Sequence, residues 1–519
     1  MSWVCAGEII PQVDPSRGAR VVIHPFRMIH PSGGCRIPFP DLISDAVICI
    51  HSVISKTFIK RGIIYTVAGA LPLMSAVILL PFYLAWLPAD VYGGLSLYLA
   101  FSLLIQVLVS YSFDTSIYIH YHEFKGDTAR LNGFIASVFL FIIGAGLVCA
   151  LLFAVAGNFI FGLGLTDSRM SFFPYGMMAV GTGIFQALFK VYTYLLQSRE
   201  KPDTFLWANL VYFSLIAAFT IGGLHLFPGT LMGPVGGRMI AGTLLALWVV
   251  WRVWRESGFR ADFTLLRSTF SFNNYSFIYQ VLQWAITYID RFILVLFLPL
   301  AAVGIYDLAA RCLLVVDLLL NGANSSFYPR VVSEVMQQER KTTSLVINRY
   351  YHGLTAMAMM LCTVSIFILP VAAGLLPEGN EYRAVIPWFP LVALPYLLKP
   401  MRTYFAMPYG ILKLTRPLPF YYLAVSAVKI LLLFMLVRPW GITGVVTATV
   451  VASVVEILLL RNGLRGHFDF NFNAFKIILA PLVALIVMAS LEPVFGETQP
   501  MVLHGAYMMM AAGLLSFLY

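Results

Sequence analysis

The chain has 519 residues, of which 60% are hydrophobic and only 11% charged, whereas soluble domains carry roughly 25% charged residues. Mean hydropathy is +0.84, and apolar runs long enough for a helix to cross hydrocarbon recur along the chain. A soluble globular protein is excluded, and so is an outer-membrane barrel, whose strands alternate apolar and polar residues over roughly ten positions. The fold class this predicts is an all-α polytopic membrane protein.

Residues 1–60 are rich in Pro, His and Arg and contain no stretch long enough to span; Leu42–Ser55 is too short. They lack the small-residue cleavage site of a signal peptide and read as a cytoplasmic tail, disordered or surface-lying. From Arg61 onward the pattern predicts fourteen spans, near 62–87, 94–113, 132–157, 172–197, 206–226, 232–251, 272–298, 302–327, 348–376, 385–411, 417–437, 441–460, 473–491 and 500–519. The six cysteines (Cys5, Cys35, Cys49, Cys149, Cys312, Cys362) are scattered in apolar settings, with the spacing of neither a disulfide framework nor a metal site.

The net charge of +10 is largely topological. With a cytoplasmic N-terminus, the tail and every even-numbered loop collect the Lys and Arg, and the odd-numbered loops hold only Arg169, Arg383 and Arg438. That alternation obeys the positive-inside rule and predicts both termini in the cytoplasm. Seven cations then fall inside spans: Lys190, Arg238, Arg291, Arg311, Lys399, Arg402 and Lys429. The acids inside spans are Asp290, Asp307, Asp317 and Glu456, so the membrane interior is net cationic.

The sequence also resembles itself. A shift of 211 residues lays Leu87-Pro88 on Leu298-Pro299, Gly93 on Gly304 and Glu123 on Glu334. A shift of 212 lays Lys201 on Lys413 and Lys190 on Arg402; a shift of 208 lays Gly233 and Gly236 on Gly441 and Gly444. The spacing predicts two six-span lobes, 61–251 and 272–462, inserted in the same orientation with the substrate path between them. The basic segment 252–271 is expected to join them as an amphipathic helix on the cytoplasmic surface. Spans 13 and 14 (463–519) stand outside the repeat.

The phrases LPADVYGGLSLYLAF, YIDRFILVLFLPLAAVGIYDLAAR and RPWGITGVVTATVVAS, taken with the fourteen spans and the repeat, resemble the polysaccharide-transporter branch of the MOP flippase superfamily. That branch includes Wzx-type flippases of lipid-linked O-antigen and exopolysaccharide units, with the lipid II flippase MurJ a relative. The resemblance covers Lys60 to about Leu460 and rests most on D-R-F in span 7 followed by V-G-I-Y at the start of span 8. It implies two six-helix lobes around a central cavity. It also implies alternating access that carries a polyprenyl-diphosphate-linked glycan from the inner to the outer leaflet of a bacterial cytoplasmic membrane.

Each charge at a helix centre costs about 2.5–3.5 kcal/mol on insertion scales, so charges kept there need partners, water or a role. Arg291 and Asp290 read either as an ion pair holding span 7 to span 8 or as a cavity contact for a diphosphate, which the guanidinium fork matches. Asp307 and Arg311 are four residues apart and can pair on one helix face; Asp317 roughly shares that face. Lys190 and Arg402 occupy near-equivalent positions of the repeat, suited to capturing an anionic head group, with Lys399 one turn before Arg402. The alternative for Lys190 and Arg402 is snorkelling to the interface. Lys429 is mid-span, with Glu456 as the expected partner; Arg238, near a span end, is expected to reach the interface. The expected substrate contacts are therefore Arg291, Lys399, Arg402, Lys190 and Arg311. The expected ion-coupling acids are Asp290, Asp307, Asp317 and Glu456. Most aromatics are expected in the core or interfacial belts, with Trp284 and Tyr288, one turn apart, as a pair that can stack on sugars.

The leading expectation is a secondary transporter, since no glycine-rich nucleotide loop with Lys appears. No cofactor, metal or nucleic acid is expected. The partners are the lipid-linked glycan and other polysaccharide assembly proteins. A multidrug exporter of the same superfamily pumps cations, which the cationic interior disfavours. A glycan polymerase or ligase needs a large outer loop, and the longest here runs only from about Gly157 to Ser171.

Overall fold

The computed structural model describes residues 68–69, 71, 74–124, 126–164, 172–258, 262–337, 342–377, 379–412, 414, 416–481 and 483. The expected tail 1–60, the start of span 1, nearly all of the second half of span 13 and all of span 14 lie outside the described residues. What is described is helical: α1 (Leu80–Trp86), α2 (Ala89–Ser110), α3 (Phe113–Phe124), α4 (Thr128–Gly164), α5 (Met177–Ser198), α6 (Pro202–Leu226) and α7 (Met232–Ser257) in the first half of the chain. The second half contributes α8 (Phe263–Phe297), α9 (Leu300–Gln337), α10 (Leu345–Gly374), α11 (Trp388–Leu397), α12 (Lys399–Ile411) and α13 (Leu418–Gly463). Among the described residues, eight helical segments are long and apolar enough to cross a membrane.

The burial pattern is that of a protein in lipid. The most apolar segment, Thr128–Gly162, is only 22% buried inside the protein, whereas the less apolar Ala89–Phe124 is 67% buried. Leu147, Leu151 and Val155 of α4 point outward. A soluble fold buries its most apolar helix; here α4 meets the acyl chains and α2, with Ser96 and Ser102 buried, takes the centre.

Local chemistry sets the helix ends. The Asp262 carboxylate accepts hydrogen bonds from the Thr264 and Leu265 amides at 3.0 and 3.2 Å and starts α8, as an N-cap side chain satisfies the first free amides. Consequently residues 252–257 end α7 and 263–271 open α8; the expected separate surface helix over 252–271 is absorbed into the two long helices. The expected span 385–411 is broken at Leu398 into α11 and α12, where Pro395 and Pro400 remove backbone donors on both sides. The helix α9 keeps its length but holds Asp307, Arg311 and Asp317, too many charges to count as an apolar span. Inside α13 the chain turns at Gly441, whose φ of 57° and ψ of −130° are not helical. Pro439 precedes the turn, and Gly444 presses on the Leu436 carbonyl beyond it. The expected spans 11 and 12 are the two arms of this bend.

Two seams hold the helices in register. The first joins the halves. α2 starts after Pro88 and α9 after Pro299, and Gly93 lies against the Leu300 carbonyl while Gly304 lies against that of Ala89. The contact is reciprocal at the 211-residue offset of the sequence repeat. The Ala89 amide also donates to Glu381 Oε2 at 3.1 Å, and Tyr382 Oη donates to the Leu87 carbonyl at 2.8 Å. The second seam lies within the second half. Thr343 N donates to the Asp469 carbonyl at 3.1 Å, and the Asn348 amide donates to the Asn471 carbonyl at 2.6 Å. Phe470 and Phe472 pack on Tyr404 and Phe405 of α12, with ring centroids 4.9–5.7 Å apart.

Candidate functional site

A cavity of about 1030 Å³ lies between the halves, lined by α2, α5, α6 and α7 on one wall and α8, α9, α11, α12 and α13 on the other. Every cation placed inside a span by the sequence lines it: Lys190, Arg238, Arg291, Arg311, Lys399, Arg402 and Lys429. So do Asp290, Asp307, Asp317 and Glu456. The volume stands at the upper limit of ordinary small-molecule pockets, about 300–1,000 Å³.

On the second-half wall the charges form one network. Arg291, 7% exposed, places Nε 2.8 Å from Asp307 Oδ1 and Nη1 2.9 Å from Asp290 Oδ1. Arg311 reaches Asp307 from one turn along α9, completing the pair expected from their spacing. Tyr306 Oη donates to Asp290 Oδ2 at 2.6 Å and Tyr92 Oη, from the first half, donates to Asp307 Oδ2 at 3.2 Å. The Arg291 guanidinium lies over two rings, Tyr288 at 5.3 Å and Tyr306 at 5.6 Å, within cation–π range. Lys429 sits 3.6 Å from Asp290 Oδ2 and donates to the Ile286 carbonyl.

Three expectations are redrawn. Glu456 pairs with Arg402, Oε2 to Nη2 at 2.8 Å, and not with Lys429. Asp317 pairs with Lys399 across to α12, away from the Asp307 cluster. Arg238 does not reach an interface; it is 8% exposed and lines the cavity, with Nη2 donating to Tyr83 Oη at 3.3 Å. Trp284 donates its indole N–H to the Ala100 carbonyl at 2.9 Å and packs on Phe292 at 5.8 Å. Of the expected stacking pair, Tyr288 lines the cavity.

Sequence reasoning missed Asp114, Tyr92 and Tyr306. Asp114 is 2% exposed and lies 3.0 Å from Lys190 Nζ, which also donates to Gln280 Oε1 at 3.1 Å. It stands one residue past the predicted end of span 2; extending that span by a turn would have counted it among the intramembrane acids. The tyrosines carry no charge signal to find them by. Lys190→Met strands the Asp114 carboxylate, which keeps only the Gln280 amide at 3.3 Å. The expected cost is about 1–3 kcal/mol, with Asp114→Asn in the same chain restoring most of it. Thermal unfolding of the two single variants and the double variant measures that coupling; additive losses would show that the pair is not formed.

The comparisons with known structures can now be set beside this geometry. The lipid II flippase MurJ in an inward closed conformation is similar at a TM-score of 0.63 and 14% identity, over 87% of this chain and 97% of that one. An inward-facing multidrug resistance MATE family transporter of the MOP superfamily is similar at 0.57 and 10% identity, over 77% and 94%. The MATE multidrug transporter DinF-BH, solved as a complex, gives 0.51 at 14% identity, over 80% and 96%. No curated protein sequence matches the chain. The fold is that of the MOP-superfamily transporters, and the chain is a multi-pass membrane protein. Residues 58–336, more than half of the chain, match the family model described as polysaccharide biosynthesis protein, and the chain belongs to that family.

Proposed function

We propose that the protein is a flippase for a polyprenyl-diphosphate-linked oligosaccharide, an O-antigen or exopolysaccharide unit, moved from the inner to the outer leaflet by alternating access. The observation that carries this reading is the cavity between the halves, where seven cations outnumber the four lining carboxylates and Asp114, which pairs with Lys190. A diphosphate head group supplies the missing negative charge, and the volume suits a polar head larger than a drug. Family membership supports a polysaccharide cargo. The likeness to MurJ supports a lipid-linked one. Residues 61–251 and 272–462 act as the two rocking lobes, joined at the Gly93–Gly304 seam. The cargo's head group enters past Lys190, Lys399 and Arg402, and Asp290, Asp307, Asp317 and Glu456 are the groups through which an ion gradient can bias the motion. The protein sits in a bacterial cytoplasmic membrane with both termini inside, works beside other polysaccharide assembly proteins, and performs no covalent chemistry.

The likeness to MATE transporters favours a second reading, export of an organic cation. The surplus of cavity cations opposes it, because a cationic drug would meet like charge in a low-dielectric space. Reconstitution into vesicles separates the two. The protein is expected to translocate a fluorescent lipid-linked oligosaccharide with a diphosphate bridge and to leave an organic cation gradient unchanged. Cation movement without glycolipid movement would replace the first reading with the second.

A further inference from the structure

Arg238 stands apart from the other cavity cations. Lys190, Arg291, Arg311, Lys399, Arg402 and Lys429 each face a carboxylate. Among the described residues Arg238 faces none. It lies two turns into α7, where Gly233 and Gly237 let that helix press on the backbone of α6 at Gly223 and Phe219. The side chain is thereby held inside the bundle, more than nine-tenths buried. Its one hydrogen bond is the contact to Tyr83, and its buried Nε–H has no partner among the described residues. Nearby on the same wall Gln186 presents a buried Oε1 that likewise has no partner there. A guanidinium cannot shed its proton, so this is a largely buried charge at the cavity wall with no counter-ion among the described residues, an arrangement that is costly unless something completes it.

The cations of the opposite wall are already engaged. Arg291 gives Nε to Asp307 and Nη1 to Asp290, and lies over the Tyr288 and Tyr306 rings. Arg311 gives Nε to Asp307. Each already has a carboxylate to balance its charge. The Arg238 fork has none, and guanidinium forks match phosphate oxygens bidentately. We infer that Arg238, on the first-half wall, is the docking point for a phosphate oxyanion of the cargo, with the ligand supplying the counter-charge the protein withholds. Gln186 Oε1 then accepts from a hydroxyl beside that phosphate. The Arg291 cluster has a different part: it ties α8 to α9 and, through Tyr92, to α2. This rests on the proposed anionic cargo and names the residue that reads its charge.

The test uses the full chain in lipid nanodiscs with three probes: farnesyl diphosphate, inorganic pyrophosphate and farnesol. Farnesyl diphosphate is expected to raise the melting temperature of the parent and farnesol to leave it unchanged. Arg238→Gln is expected to weaken farnesyl diphosphate binding by about ten- to a hundredfold, the worth of a charged hydrogen bond. Arg238→Lys should keep part of it. Without ligand, Arg238→Gln should melt no lower than the parent, because it removes an uncompensated buried charge; a purely structural arginine would give the opposite result. Pyrophosphate binding as tight as that of farnesyl diphosphate assigns the site to free phosphate rather than a lipid head group. If the parent binds farnesyl diphosphate and Arg238→Gln binds it within twofold, the inference falls and the flippase reading stands. If the parent binds neither diphosphate, both fall.

Discussion

Asp307→Ala is expected to cost about 3–5 kcal/mol of stability, the penalty for leaving buried charge without its partner. The carboxylate is 1% exposed and receives Arg291 Nε, Arg311 Nε and Tyr92 Oη. Removing it strands the Arg311 guanidinium on α9 and leaves Arg291 on α8 with Asp290 alone, two like charges with one carboxylate between them. It also removes the tie to α2, so the loss extends to the contact between the halves. Asp307→Asn keeps the shape and one acceptor but not the charge, and should fall between the parent and the alanine variant. Adding Arg311→Gln to Asp307→Asn should recover part of the loss, since one stranded cation then disappears. Unfolding in mild detergent, followed by tryptophan fluorescence, gives the energies. An Asp307→Ala protein within about 1 kcal/mol of the parent, the range of a surface change, would show that the cluster is solvated and replaceable.

Gly93→Ala is expected to stop transport while the neighbouring Gly94→Ala leaves it intact. A methyl at Gly93 would overlap the Leu300 carbonyl, which is main chain and cannot swing aside. A methyl at Gly94 meets only the Leu231 side chain at 3.6 Å, an ordinary contact. Overpacking of this kind costs about 1–3 kcal/mol. Applied to one conformation of a rocking protein, that cuts the population with a closed seam by about five- to a hundredfold. Both variants should reach the membrane in normal amounts. Vesicle translocation rates compare them, and equal rates for Gly93→Ala and the parent would mean the seam never needs to close this tightly.

The charged positions were legible because the background is apolar. In a chain with 11% charged residues a cation inside a span is conspicuous, and insertion cost predicts that it turns inward. Arg291, Lys399, Arg402, Lys190 and Arg311 all line one cavity for this reason. Their pairings were legible only within a single helix. Asp307 and Arg311 pair as a four-residue spacing dictates. Lys399–Asp317 and Arg402–Glu456 depend on how α12 sits against α9 and α13, which no spacing encodes. Arg238 was misjudged because distance from a helix end does not report which face an arginine occupies; the glycines that pull α7 onto α6 decide it. The fold diverged from the expected spans where one residue type acts locally. Pro395 and Pro400 break one helix, Gly441 bends another, and Asp262 starts α8 nine residues earlier than hydropathy placed it.

The strap between residues 342–348 and 469–471 braces one end of the second half. It fastens the α9–α10 connection to the segment leaving α13, and the rings at Phe470 and Phe472 wedge that segment against α12. Three helices of the second half are thus clamped at one end. The first half has ties of its own: Gly229 N donates to the Trp86 carbonyl at 3.0 Å, Asp262 N donates to Ser137 Oγ at 2.6 Å, and Arg199 pairs with Glu256. In mechanical terms each half is braced within itself, and the Gly93–Gly304 seam is where the two meet. On the proposed rocking motion the two halves move as braced blocks, and Arg238 travels with one while the Arg291 cluster travels with the other.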